Sequence, residues 1–245
     1  MQTSDEIKKE KFSEFIEAAA HDLHSPLRKL SVLVDRVFTR HVDRFDDDAK
    51  EYIRRIENCV SEMQSLIDGL AELARADTKE LINSPVDLSM IVKRETEAMQ
   101  EELEKRNAEI YTDPLPVIKG NEIQYRQLFK NLLENALKFS KNDGSVRIEI
   151  KATHLTTTEK DNYHFSQEKM FYRIEICDNG IGFDQAYAEK IFEPFVRLHP
   201  RSKYHGNGLG LSICKKIVTN HNGTIYAQGI EQTGSRFTLI LPETP

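Results

Sequence analysis

Residues 131–139, NLLENALKF, decide how the second half of this chain is read. In a helix Asn131, Asn135 and Lys138, four and three residues apart, share one face. Leu128, Leu132, Leu133, Ala136 and Phe139 take the other faces and are expected in the core. Asparagine is a weak helix former, so two of them and a lysine on one face ask for a reason. Amide oxygens suit a hard cation such as magnesium, and a lysine beside them suits phosphate. A merely solvated helix face is the reading these residues leave open.

Around this helix the pattern is mixed. It predicts a helix over 88–105, short strands at 109–111 and 116–119, and the helix over 121–139. Strands at 145–151 and 170–178 follow, then a glycine-rich loop and a short helix over 186–192. A helix over 209–221 and strands at 224–228 and 235–241 complete an α+β sandwich of one sheet and one helical layer. Residues 153–168 are polar and irregular and read as a long hairpin loop without evident chemistry. Two glycine segments stand out. In EICDNGIGF, Asp178 closes a strand and Gly180 and Gly182 follow; a tight turn between strands is the plain reading, weakened by the helical character of DQAYAEKIF after it. In HGNGLGLSICKKIV, Gly206, Gly208 and Gly210 stand at a helix entrance, where backbone amides can approach an anion. The second segment has neither the βαβ setting of a dinucleotide fold nor the Lys-Ser/Thr ending of a P-loop, and an ordinary flexible loop is its alternative.

Ahead of Pro85 the periodicity is helical. From Tyr52 to Ala74, apolar residues fall at Ile53, Ile56, Val60, Met63, Ile67, Leu70 and Ala74, in steps of three and four that make a heptad seam. Phe12, Ile16, Ala19, Leu23, Leu27, Leu30, Val34 and Val37 keep nearly the same rhythm. The polar HVDRFDDD between them reads as the turn of a helical hairpin. A lone hairpin is marginal, so dimerisation into a four-helix bundle is its natural completion. A two-residue step turns the helix by about 200°, which points His21 away from the stripe defined by Ala19 and Leu23. Asp22 adjoins it, and Pro26 lacks the amide that would bond the Asp22 carbonyl, which is expected to loosen or kink the helix there. An exposed imidazole is a competent nucleophile; on a charged helix it can equally do nothing. The Asn83-Ser84-Pro85 segment ends the second helix, and the domains are expected at 1–84 and 85–245. Residues 1–84 hold 13 basic and 18 acidic side chains, against 21 and 22 in 85–245. The hairpin is therefore the more solvated part.

At 245 residues, 39% hydrophobic and with a net charge of -6, the chain is long enough for one or two globular domains. The acidic balance argues against a duplex-binding surface, so no nucleic-acid partner is expected. Cys59, Cys177 and Cys214 lie far apart, which suggests neither a disulfide framework nor a zinc site and points to a reducing cytoplasm. No run of roughly 18 apolar residues is present, so no membrane contact is expected.

HDLHSPL, NLLENALKF, DNGIGF, IFEPF, GNGLGLSICKKIV and TGSRFTLILP occur here in the order seen in sensor histidine kinases, and together they cover nearly the whole chain. The stretch FVRLHPRSKYHGNGLGLSICKKIV further resembles kinases attached to PAS or phytochrome sensors. The resemblance implies a dimerisation and histidine-phosphotransfer hairpin followed by a Bergerat-type ATP-binding domain. It implies His21 as phosphoacceptor with Asp22 orienting or deprotonating it, and Ser25 where related kinases carry Thr or Asn to position water for dephosphorylating a partner. Asn135 resembles the Mg2+ ligand, with Asn131 and Lys138 near the phosphates, and Asp178 the acceptor of the adenine amino group, with Gly180 and Gly182 shaping that pocket. Phe192 and Phe195 flank the start of a lid whose far hinge and triphosphate contact are Gly206, Gly208, Leu209 and Gly210. Three positions depart from the pattern: His24 stands where Arg or Lys is usual, Ser25 is smaller than the usual residue, and Gln232 replaces a common glycine.

The activity so implied is ATP-dependent autophosphorylation on histidine and phosphoryl transfer to a response-regulator receiver domain, by a cytoplasmic homodimer. An upstream sensor domain is expected outside these 245 residues. A scaffold with a vestigial nucleotide site and an ATPase that clamps without phosphotransfer are the rival classes.

Overall fold

A computed structural model describes residues 4–77, 84–141, 144–163, 165–200, 204 and 206–244, with the side chains of 4–12 and 162 left out. The chain divides into two compact units, one of Met1–Thr78 with His205–Leu209, the other of Lys79–Tyr204 with Gly210–Pro245.

The first unit is built on two long helices, α1 (Ser4–His41) and α2 (Asp47–Asp77). α1 is continuous through Pro26, the point where the helix was expected to loosen or kink. One amide is lost there, but the turns on both sides keep theirs, and a single gap does not end a helix of 38 residues. A 3-10 turn at Val42–Arg44 reverses the chain. Asp46 then starts α2 by accepting the Ala49 amide at 2.7 Å, and Asp47 and Asp48 favour the positive end of the helix dipole. The expected end of α2 at Asn83 lies outside the described residues.

The apolar stripe splits into two heptad sets. Leu27 and Val34 on α1, with Ile53, Val60, Ile67 and Ala74 on α2, are buried or half-buried. Leu23, Leu30 and Val37, spaced by sevens, stay 52%, 39% and 46% exposed, and Ile56 and Met63, again seven apart, stay 45% and 40% exposed. The hairpin thus covers one set and leaves most of the other, apart from the half-buried Ile16 and Leu70, as an apolar stripe on its outside. The side chain of Phe12 lies outside the described residues.

The second unit holds a five-stranded sheet under a helical layer. Its strands are β2 (Ala108–Thr112), β4 (Val146–His154), β5 (Phe171–Asp178), β6 (Thr224–Ile230) and β7 (Gly234–Pro242), in the order β2-β4-β5-β7-β6. β2 and β4 run parallel and every other pair antiparallel. Alternation sets the two faces: Ile148, Ile150, Ile174, Ile176, Phe237 and Leu239 point to the core, and Arg147, Glu149, Lys151, Glu175 and Arg236 point outward. The helical layer comprises α3 (Leu88–Ala98), α4 (Gln100–Lys105), α5 (Glu122–Lys138) and α7 (Gly210–Asn220). Leu128, Leu132, Leu133 and Ala136 of α5 are buried as expected, but Phe139 is only half-buried. Its ring lies past the end of α5, packed by the rings of His199 and Tyr204 at 5.9 and 5.0 Å between centroids.

Three elements depart from the sequence expectation. β1 (Ser84–Asp87) pairs antiparallel with β3 (Val117–Gly120), a two-stranded sheet where the sequence marked only a helix end and a domain boundary. The helix over 88–105 breaks at Met99, whose amide turns back to the carbonyls of Glu95, Thr96 and Glu97. The polar 153–168 segment contains α6 (Thr157–Asn162), opened by a capping box in which Thr156 and Glu159 satisfy each other's amides. Beyond it Tyr163 and Phe165 pack on Leu155, Phe171 and Ile240, all on the outer face of the sheet. The segment is thus a lid over apolar outward-facing side chains, which is why it folds.

Candidate active site

α5 places three of the expected residues. Its N-terminus is fixed by Asn121, whose side chain accepts the Ile123 and Gln124 amides at 2.9 and 3.2 Å. The Asn121 amide donates to Nε2 of the fully buried His221 at 3.1 Å, and Nδ1 of that ring contacts the Ile217 carbonyl at 2.8 Å, so the ring is neutral with its proton on Nδ1. Burial pushes the imidazole below the usual histidine range. From this anchored start α5 carries Asn131, Asn135 and Lys138 along one half-buried face. Asn131 Nδ2 reaches the Gly210 carbonyl at 3.4 Å, tying α5 to the first turn of α7. Lys138 Nζ lies 4.8 Å from the centroid of the Phe139 ring. Burial, and then the nearby Arg197 guanidinium, push its ammonium below the usual lysine range.

Asp178 ends β5, and the turn after it meets the residue that follows α5, where the Ile181 amide donates to the Phe139 carbonyl at 2.9 Å. Its Oδ1 accepts the Gly180 amide at 2.9 Å and the Ser235 amide at 3.2 Å. Burial pushes the carboxyl above the usual carboxylate range, and the donors from Gly180 and Ser235 oppose the rise. The chain closes tightly around it. A Cβ on Gly180 would stand 2.5 Å from the Phe139 carbonyl oxygen, and one on Gly234, at φ +141°, 1.9 Å from the Asp178 carbonyl oxygen. Gly182, at φ +62°, would bring a Cβ 2.0 Å from the Ile230 carbonyl oxygen. Gln232 adopts φ +60° and donates its amide to Ile181 at 2.7 Å. That left-handed backbone is the physical sense of the glycine expected there, and Gln232 meets it at a cost of about 1–2 kcal/mol. A cleft of about 280 Å³ opens past this turn between Gly182, Tyr187, Arg197 and His199. Asp178 is not among its walls, so the cleft alone does not define a nucleotide site.

The expected short helix over 186–192 consists of two 3-10 turns, Gln185–Tyr187 and Lys190–Phe192. Of the two residues expected to flank a lid, Phe192 is buried, whereas Phe195 is exposed with φ +65°. Gly206 and Gly208 take φ +135° and +75°, and the Asn207 side chain accepts the Leu209 amide at 3.0 Å. The left-handed backbone at both glycines accounts for the residue type.

His21, on α1, is 89% exposed, with Nδ1 3.4 Å from Asp22 Oδ1. Ser25, one turn further on, is also exposed. The structure therefore groups Asn131, Asn135, Lys138, Asp178, Gly180, Gly182 and Gly210 in one unit. It places His21, Asp22 and Ser25 in the other, to which Gly206, Gly208 and Leu209 also belong. Sequence reasoning did not single out the His199 and Tyr204 rings on Phe139, whose partner sits about 60 residues away with no spacing to announce it.

No group of three or more His, Cys, Asp or Glu suited to a metal ion exists among the described residues. Asn135, half-buried on α5, offers an amide oxygen, a donor type that suits magnesium, which takes few ligands from protein. Among the described residues, no helix is long and apolar enough to cross a membrane.

Residues 13–79 match the His Kinase A (phospho-acceptor) domain, and residues 120–245 match the histidine kinase-, DNA gyrase B- and HSP90-like ATPase family. The phytochrome-like protein Cph1 of Synechocystis is 34% identical over 228 residues, 93% of this chain and 29% of Cph1. The adaptive-response sensory kinase SasA of Prochlorococcus marinus is 32% identical over 91% of this chain and 56% of its own. The chain thus spans under a third of the phytochrome relative's length. Among solved structures, full-length ShkA in complex with AMPPNP superposes with a TM-score of 0.64 at 22% identity, over 95% of this chain and 46% of ShkA. Histidine kinase ThkA in complex with the response regulator TrrA gives 0.61 at 21% identity, over 98% of this chain and 66% of ThkA. With a helical hairpin matching the phospho-acceptor domain and an α/β unit matching the ATPase domain, the chain belongs to the sensor histidine kinases and carries their transmitter module.

Proposed function

We propose that this chain transfers the γ-phosphoryl group of ATP to His21 and passes it to an aspartate of a response-regulator receiver domain. The observation that carries the reading is the exposed His21 ring with the Asp22 carboxylate 3.4 Å from Nδ1. With its proton on Nδ1 and facing Asp22, the ring offers the Nε2 lone pair outward as nucleophile. The N–P bond forms as the bond to the ADP oxygen breaks, and the ring proton is taken by Asp22 or by water. Asp178 is the group that reads the adenine amino hydrogen. Gly180 and Gly182 let the backbone close on the base, and Asn131, Lys138 and the 206–210 loop face the phosphates. Magnesium, with Asn135 as its protein ligand, supplies charge neutralisation on the triphosphate.

The domain boundary belongs to this proposal: phosphotransfer hairpin over 1–84 and ATP-binding domain over 85–245. So does the homodimer, because the uncovered heptad set Leu23, Leu30, Val37, Ile56 and Met63 suits a second copy of the same hairpin in a four-helix bundle. In this reading the module works in the cytoplasm, and its signal arrives as altered packing of α1 ahead of His21. Ser25 is the residue a phosphatase activity toward the regulator would use.

The test is to incubate the chain with γ-labelled ATP and then add single receiver domains. Label that appears on the chain and moves to a receiver supports the reading. Phosphate release without labelling of the chain would instead support a nucleotide-driven clamp.

A further inference from the structure

We propose that His24, oriented by Asp68, acts as a proton-gated positive charge that stabilises the phosphoryl group on His21. The inference rests on the reading of His21 as the phosphoacceptor. His24 is the half-buried residue between exposed Leu23 and exposed Ser25, so its ring is turned toward α2. There its Nε2 lies 3.0 Å from Asp68 Oδ1, with the two side chains 32% and 63% exposed. The contact joins the helix that carries His21 to its hairpin partner, three residues from the reacting ring.

The chemistry follows from the two protonation states of an imidazole. The neutral ring spends its N–H on Asp68 and presents a lone pair at Nδ1. The protonated ring keeps that bond, gains charge assistance in it, and adds a second N–H and a unit of positive charge. Residues three apart on a helix have Cβ atoms roughly 5–6 Å apart, so that charge falls beside a phosphoryl group on His21. The charged groups within a turn of the pair are His21, Asp22 and Arg28 on α1 and Glu72 on α2. Of these side-chain types, only histidine ordinarily changes charge between pH 5 and 8, so the two rings at 21 and 24 are the groups a pH profile reads. One unit charge about 6 Å away in a water-like dielectric changes the phosphorylated fraction about threefold.

The experiment measures the level of acid-labile phosphate on the full chain after incubation with labelled ATP, from pH 5.5 to 8.5. It compares the parent with His24→Gln and His24→Lys. Dividing parent by variant cancels the titration of His21 and of ATP. The ratio of parent to His24→Gln should rise about threefold toward low pH. The parent should match His24→Lys at low pH and fall below it at high pH. Parallel profiles for parent and His24→Gln would overturn the proposal. A second measurement does not depend on ATP: the nitrogen chemical shift of His24 Nε2, read by NMR at one fixed pH, should change in Asp68→Asn as the contact with the carboxylate is lost, while the His21 shifts stay. An unchanged His24 Nε2 shift would overturn the role of Asp68. A parent that takes no phosphate at any pH would overturn the phosphoacceptor reading itself, while the Nε2 shift would still report on the pair.

Discussion

Replacing Asp178 by asparagine separates nucleotide recognition from folding. In the protein the carboxylate accepts two amides through Oδ1, at 2.9 Å from Gly180 and 3.2 Å from Ser235. Asparagine keeps an oxygen for those amides and puts an NH2 where the second carboxylate oxygen stood. An adenine amino group then meets a donor instead of an acceptor. The lost hydrogen bond to a charged acceptor costs about 1.5–3 kcal/mol, and the facing donors add about 1 kcal/mol or more. Taken as about 3 kcal/mol together, this weakens ATP binding roughly 150-fold. Stability should move the other way, because burial pushes the Asp178 carboxyl up, so the fold holds that charge at a cost. Asp178→Asn should therefore keep or raise the melting temperature at pH 7. Inosine triphosphate, which carries a carbonyl in place of the amino group, should lose less affinity than ATP or gain some. Calorimetric titration with both nucleotides, paired with thermal unfolding, reads all three effects. ATP affinity within threefold of the parent in a folded variant would refute the assignment of Asp178 to the base.

His221 predicts a pH dependence of stability. Its Nε2 accepts the Asn121 amide only when unprotonated, and burial lowers its pKa in the folded state. Its contribution is full above about pH 6.5, falls as the unfolded state takes up protons below that, and levels off once the folded-state pKa is passed. Melting temperatures from pH 7.5 to 5 should drop more steeply in the parent than in His221→Phe, and parallel curves would refute the account. Gly234→Ala forces a Cβ to 1.9 Å from the Asp178 carbonyl at φ +141°, and should cost about 3 kcal/mol or more. Denaturant titration finding a loss under about 0.5 kcal/mol would contradict that packing. Leu30→Glu places a charge in the uncovered heptad set and should turn a dimer into a monomer by light scattering, while a dimer of unchanged mass would rule out that stripe as the interface.

The long periodic elements were readable because each carries its own pattern. The heptads of α1 and α2, the alternation in β4 and β5 and the core face of α5 need only local spacing. What stayed hidden depends on distant partners. β1 is four residues with a proline, and its pairing becomes visible only once Gly120 lies opposite Ser84. α6 looked like loop because its sequence is polar, yet Thr156 and Glu159 spell a capping box and Tyr163 and Phe165 are the apolar groups that dock it. Phe139 continued the apolar rhythm of α5 but falls beyond the last helical residue, so periodicity placed it in the core wrongly. At the site, residue types announced Asp178 and its glycines, whereas the turn that seats them draws on Ser235 and the left-handed Gln232, more than fifty residues away.

The most direct test of the central claim is to locate the phosphoryl group. After incubation with ATP and magnesium, peptide mapping at neutral to alkaline pH should find a single acid-labile phosphoryl group on His21, and His21→Gln should carry none. Acid-stable phosphate on a hydroxyl side chain, or undiminished acid-labile phosphate in His21→Gln, would contradict it.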